Sequence, residues 1–303
     1  MPTPATIPAP RSTQDATLMY LAYGGDRAVQ EAVFSIHSLL HVTGARRAFR
    51  VLVYTDRPGD FAGLPLDLEV LDQSLLEEWT GDSGYGHRRK LMAMVHAATH
   101  HPGRTVFVDG DTWFHRSPQE LFDALAPGTS LLHLLETRLL DSDDPTKHAL
   151  SQHLAGTELR GLDERALAVA PNAAMWNSGV VGLHPRDSHL LRDALSVNDA
   201  IWAGFQDLHT VEQFAVGLVL EQRTRVLAAD HVVFHYWTDE LRKPFQQRLP
   251  ELLAETAHLP LADRATALHR ERPRPRGSRA LKAQVKAQLR RAGRPVGAFQ
   301  TSG

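Results

Sequence analysis

Asp109-Gly110-Asp111 stands directly after the apolar run Val106-Phe107-Val108. Two carboxylates two residues apart at the mouth of a buried strand can approach one hard divalent cation, with Gly110 letting the backbone turn tightly between them. Such a pair needs a counter-charge. Mg²⁺ or Mn²⁺ bridging to a diphosphate supplies it and neutralises charge on a departing phosphate. The plainer reading of Asp-x-Asp is a pair of solvated turn residues, and the apolar strand in front of it argues against that. The chain has no cysteine, which excludes disulfide scaffolds, zinc ribbons, iron–sulfur clusters and thiol nucleophiles. Any metal ligands must then be oxygen and imidazole, a donor set that suits Mn²⁺ or Mg²⁺ better than structural zinc.

Further polar residues stand where chemistry would need them. His235, in the short apolar run His231–Tyr236, offers a neutral imidazole, though a packed core histidine is an equal reading in a chain with 17 histidines, and His231 is a close competitor. Lys90 can pair with a phosphate or a sugar, or can be one of three basic residues (with Arg88 and Arg89) on a solvated helix start. Asn177 carries an amide that matches sugar hydroxyls, and Gly179 removes a side chain where a ring must fit; a simple turn is the alternative. Glu212 and Gln213 open a helix after Thr210, where an acidic residue also favours the helix dipole.

The elements that must position these residues alternate strand and helix, the pattern of an α/β sheet. Strands are expected at 17–22, 49–55 and 65–71, with a helix at 28–42 between the first two. A helix at 87–100 precedes the strand 104–108. Glycine and polar residues gather at the carboxyl ends of these strands, where open α/β sheets bind ligands. In the second half, residues 138–171 read as polar helix and loop able to lie over the site. A strand at 175–184, helices at 188–202 and 209–221, and a strand at 231–236 follow, and a weakly amphipathic helix is expected at 280–292 behind a proline-broken basic linker.

Two families share the Asp-x-Asp pattern. Asp109-Gly110-Asp111-Thr112 resembles the nucleophile loop of haloacid-dehalogenase-type phosphatases, which would make Asp109 the phosphorylated group. That loop normally closes the first strand of its domain, whereas here a strand with its own glycine turn lies almost 90 residues earlier. The chain more fully resembles metal-dependent nucleotide-sugar glycosyltransferases of the GT-A fold, particularly retaining family 8, over residues 17–250. The matching pieces are Met19 to Asp26, the helix segment Val33 to Leu40, Lys90, Asp109-Gly110-Asp111, Asn177-Ser178-Gly179, Glu212-Gln213 and Phe234-His235-Tyr236. The resemblance implies a Rossmann-like mixed sheet flanked by helices. It implies a nucleotide-binding half at 17–115, an acceptor and donor-sugar half at 116–260, and Mn²⁺ or Mg²⁺ held by Asp109, Asp111 and His235. Donor contacts are implied for Ala22, Tyr23, Gly24, Asp56, Lys90, Asp109 and Gly110, and roles at the sugar for Asn177, Glu212 and Gln213. The family pattern His-x-x-Gly-x-x-Lys-Pro-Trp is broken here: no glycine follows His235 at the third position, and Lys243-Pro244-Phe245 comes two residues late, so a pyrophosphate contact by Lys243 departs from the pattern.

The chain of 303 residues has 33 basic and 35 acidic side chains and is 43% hydrophobic, an ordinary globular composition. Its net charge of −2 conceals an acidic body and a basic tail from residue 261. Residues 1–16, with four prolines, read as a disordered leader and not as a signal peptide. No apolar run approaches the roughly 20 residues needed to span a bilayer, so a cytoplasmic location is expected. The tail lacks aromatic interleaving and any nucleic-acid reading motif, so nucleic acid is not the expected partner. Peripheral contact with anionic membrane is the functional expectation for it, fitting an enzyme that meets a cell-envelope glycan or glycolipid acceptor; a soluble tail without a partner is the alternative. The two rival functions are a phosphatase and a catalytically silent nucleotide-sugar-binding protein.

Overall fold

A computed structural model describes residues 15–44 and 47–273. Most of the leader and the helix expected at 280–292 lie outside the described residues. The first half contains β1 (Ala16–Leu21), α1 (Asp26–Thr43), β2 (Arg50–Thr55), β3 (Asp67–Val70), α2 (Gln73–Thr80), α3 (Arg88–His100), β4 (Arg104–Val108), β5 (Thr112–Phe114) and α4 (Gln119–Ala124). The second contains β6 (Thr129–Arg138), α5 (Pro145–Leu154), β7 (Leu159–Arg160), β8 (Ala166–Leu167), β9 (Ala174–Leu183), α6 (Leu190–Gly204), α7 (Val211–Arg223), β10 (Arg225–Ala228), β11 (Val233–His235), α8 (Asp239–Glu255) and α9 (Leu261–Arg270).

Seven strands form one mixed sheet in the order β10-β6-β9-β4-β1-β2-β3. β4, β1, β2 and β3 run parallel, and β9 is antiparallel to both β4 and β6. The central strands are apolar on both faces: Leu18, Met19, Tyr20, Val106, Phe107 and Val108 are all buried, as expected for strands covered by helices on each side. The architecture is a mixed sheet flanked by helices, consistent with a Rossmann-like GT-A fold. A second, two-stranded sheet pairs β5 with β11.

Register explains why distant segments meet. β9 runs antiparallel to β4 with Val108 opposite Val180, so the residues just before Val180 pass the carboxyl end of β4. The Asp109 amide accordingly donates to the Gly179 carbonyl at 2.9 Å. On the other side, Thr112 pairs with His235 across β5 and β11, and the Tyr236 amide donates to the Asp111 carbonyl at 3.0 Å.

α9 lies beyond the boundary expected at residue 260 and is nonetheless built into the body. Leu268 is fully buried, the Trp113 indole donates to the His269 carbonyl at 3.2 Å, and the His269 ring stacks on Trp113 and on His41 of α1. In the stretch expected to be polar helix and loop, α5 forms and is followed by the small β7–β8 hairpin.

Candidate metal centre and the network behind it

Asp109, Asp111 and His235 converge at the carboxyl end of β4, with one ligand atom from each lying within 4.8 Å of the others. His235 Nε2 is 3.1 Å from Asp111 Oδ1 and 3.8 Å from Asp109 Oδ2. The other imidazole nitrogen is already committed: Nδ1 lies 2.8 Å from Asn177 Oδ1, an atom that also accepts the Gly179 amide at 2.9 Å. A backbone N–H can only donate, so that Asn177 atom is the oxygen and Nδ1 carries the proton. Nε2 then faces the two carboxylates and is the nitrogen that could ligate a cation placed among them, the arrangement in which a ligating histidine is fixed by a hydrogen bond from its far side.

Gly179 is required by the same histidine. A Cβ built there would fall 2.1 Å from His235 Nδ1, so the ring for which the sequence leaves room is the imidazole. Gly110 also answers to packing: its φ is not in the left-handed region, and a Cβ there would press to 3.3 Å from the Ala32 amide on α1. The expected tight turn is therefore a close approach to a helix.

The residues fit a hard divalent cation. Asp111 is 5% exposed, and its Oδ2 makes no hydrogen bond but pairs with the Arg242 guanidinium at 3.1 Å. Burial alone would push its carboxyl up, but His235 and Arg242 outweigh that and hold it below the usual carboxylate range. An ionised, buried carboxylate with one oxygen beside His235 Nε2 and near Asp109 is suited to hold a cation. It is poorly suited to shuttle a proton, as the second aspartate of a phosphatase would have to. His231 is exposed.

Lys90 occupies the centre of the network. Its Nζ donates to Asp109 Oδ2 at 3.1 Å, to the Ser178 carbonyl at 2.8 Å and to Ser178 Oγ at 3.0 Å, and lies 3.6 Å from Glu212 Oε1. Burial pulls its amine down, but the Asp109 and Glu212 carboxylates more than restore it and leave it above its ordinary value. The solvated-helix reading does not apply. Glu212 is itself buried, and burial raises its carboxyl above the ordinary value against the pull of Lys90.

Gln213 accepts the Ser178 amide at 3.2 Å, and its amide donates to Glu136 Oε2 at 3.2 Å, the oxygen that Asn177 Nδ2 approaches at 3.3 Å. Lys147 of α5 donates to Glu136 Oε1 at 3.0 Å, so the irregular segment after β6 is tied to this layer. Tyr85 accepts the Glu212 amide and donates to the His209 carbonyl, fixing the start of α7.

At the neighbouring strand ends, Ala22 bonds back to Tyr54, and the Gly24 amide, at φ +82°, donates to both Asp56 oxygens at 3.1 and 3.2 Å. Tyr23 faces the Arg89 guanidinium at 5.3 Å. Ala22, Tyr23 and Gly24 follow β1 and Asp56 follows β2, so the Gly24–Asp56 bonds tie two adjacent strand ends together. Lys243 is not drawn into the metal cluster: it is solvent-exposed on α8 and pairs with Asp239 at 2.6 Å. Its neighbour Arg242 reaches Asp111 instead, with Glu31 of α1 behind it. Sequence reasoning missed Arg242, Glu31, Glu136, Lys147 and Tyr85. The available signal for Glu31 was an acid in line with Ser35 and Ser38 along one side of an apolar helix.

No family model matches the chain, and no curated protein does. Among solved structures, it is similar to mouse xyloside xylosyltransferase 1 in its apo form, at 15% identity over 71% of this chain and 84% of that one, with a TM-score of 0.46. It is also similar to the glycosyltransferase GlyE of Streptococcus pneumoniae TIGR4, at 10% identity over 82% of this chain and 62% of that one, with a TM-score of 0.49.

Proposed function

We propose that this chain is a metal-dependent glycosyltransferase that moves a sugar from a nucleoside diphosphate sugar to a glycan or glycolipid acceptor. The observation carrying the proposal is the convergence of Asp109, Asp111 and His235 at the carboxyl end of β4, with the His235 tautomer fixed by Asn177. Asp109, Asp111 and His235 would hold Mn²⁺ or Mg²⁺, which when bound supplies positive charge against the departing diphosphate. The protein's own residues supply position. Lys90 orients Asp109 and balances Glu212, while Asn177 and Gly179 orient His235. Tyr23 and Gly24 after β1 and Asp56 after β2 meet the nucleoside, with uridine as the base by resemblance. Glu212 and Gln213 face the transferred sugar, and retention of anomeric configuration follows the same resemblance. Residues 17–115 would form the nucleotide half and 116–260 the sugar half, with residues 261–303 outside the family resemblance.

Among the described residues no helix is long and apolar enough to cross a membrane. The reading places the enzyme in the cytoplasm, with the basic segment after residue 273 touching an anionic inner membrane face where an envelope acceptor would be met. A panel of sugar nucleotides, incubated with the protein and Mn²⁺, tests the activity. Metal-dependent donor hydrolysis or transfer supports it. Binding without turnover of any donor favours a silent nucleotide-sugar-binding protein, and phosphate release from simple phosphoesters with an aspartyl phosphate on Asp109 replaces it with a phosphatase.

A further inference from the structure

Arg242 sits in the first turns of α8 and binds two carboxylates from two other parts of the fold. Its Nε and Nη2 close a fork on Glu31 of α1 at 3.0 and 2.7 Å, and its Nη1 lies 3.1 Å from Asp111 Oδ2. Glu31 is 1% exposed, whereas the Arg242 side chain is 37% exposed. The guanidinium is thus anchored on Glu31 through Nε and Nη2, with Nη1 on Asp111, while the side chain as a whole keeps part of its surface open to solvent. Asp111 Oδ1 faces His235 Nε2 and the candidate metal position, while Arg242 holds the opposite oxygen, Oδ2.

We propose that Arg242 is a built-in competitor for the metal site. It neutralises Asp111 from the Oδ2 side, so that less negative charge is left for a divalent cation at Oδ1, and Glu31 holds it in place. A cation arriving alone must work against a fixed positive charge a few ångströms away. A cation arriving with a diphosphate brings an anion that Arg242 Nη1 can take in place of Asp111 Oδ2 while Glu31 keeps Nε and Nη2. Metal alone would therefore bind weakly, and metal with nucleotide strongly. This rests on the metal-dependent donor reading above and adds to it an order of assembly set by one side chain. Lys243, solvent-exposed and paired with Asp239, does not fill this role.

The test is Mn²⁺ titration of the full chain, followed by electron paramagnetic resonance, with and without uridine diphosphate. Arg242→Gln is expected to bind Mn²⁺ alone about tenfold more tightly, the scale of removing a partly screened like charge. The same variant at saturating Mn²⁺ should bind uridine diphosphate about tenfold more weakly. Because Arg242→Gln strands buried Glu31, the paired variant Glu31→Gln with Arg242→Gln is titrated alongside and should shift in the same directions. Mn²⁺ affinity that is unchanged or weakened in both variants, while Asp111→Asn still abolishes it, overturns the competitor and leaves the metal site standing. Mn²⁺ binding that survives Asp111→Asn overturns the metal site and the competitor together.

Discussion

At the scale of single residues, the site is a set of charges that hold one another in place. Lys90 lies among Asp109, Glu212 and Ser178 with little solvent access. Removing one member of a buried ion network leaves its partners uncompensated, at a cost of about 3–5 kcal/mol. Lys90→Met should lower the unfolding free energy by about that amount, measured by urea titration, and should weaken Mn²⁺ binding because Asp109 loses its orienting partner. Lys243→Ala should change stability by less than about 0.5 kcal/mol and leave nucleotide binding intact, since its exposed pair with Asp239 is worth little. Gly179→Ala is the sharpest steric probe. The added methyl would fall on His235 Nδ1, so the imidazole must swing away from Asp111. A loss of Mn²⁺ affinity of 10-fold or more, roughly that of losing an orienting contact behind a metal ligand, is expected by calorimetry.

At the scale of elements, α1 shows how much of the site was legible in the sequence and what was not. The strands, the helices and the Asp-x-Asp turn could be read from apolar runs and their polar ends, because burial of both faces of β4 and β1 leaves a continuous apolar signature. Asn177-Ser178-Gly179 could be marked as important, yet its partner could not: nothing local says that β9 runs antiparallel beside β4 and brings Gly179 against Asp109 and His235. The role of α1 was hidden for the same reason. Glu31, Ser35 and Ser38 form a polar stripe that binds Arg242, Thr112 and the Phe114 amide in turn, which pins the segment from Asp111 to β5. Long-range register, absent from local periodicity, decides these contacts.

The same helix carries a pH liability. His37 is fully buried with neither ring nitrogen hydrogen-bonded, and burial, aided by Arg264, lowers its pKa from 6.5 to about 4. Between those values the unfolded chain takes up a proton that the fold refuses, so stability falls as the pH drops from 6.5 toward 4 and returns as it rises. At about 1.4 kcal/mol per unit the loss attributable to His37 approaches roughly 3 kcal/mol. His37→Leu should flatten that part of the pH–stability curve, followed by thermal melting from pH 7 to 4.

At the scale of the whole molecule, the charge division moves. The basic excess begins at residue 261, but α9 belongs to the body: Leu268 is buried and His269 stacks on Trp113. Truncation after residue 273 should preserve the melting temperature, whereas truncation after 260 should destabilise the fold by about 3–5 kcal/mol by baring the Trp113 face and emptying the Leu268 site. If the basic segment meets anionic membrane, the first truncation should also reduce sedimentation with phosphatidylserine vesicles. The body itself concentrates Asp109, Asp111, Glu31, Glu212 and Glu136 behind one set of strand ends, with Lys90, Arg242 and Lys147 as the paired cations. The central claim is that this arrangement holds a divalent cation facing a diphosphate. Calorimetric titration of uridine diphosphate into the full chain tests it most directly, with Mn²⁺, with chelator, and with Mn²⁺ in the Asp111→Asn variant. Binding seen only with Mn²⁺ and lost in Asp111→Asn is the predicted result; binding of equal strength in all three would contradict it.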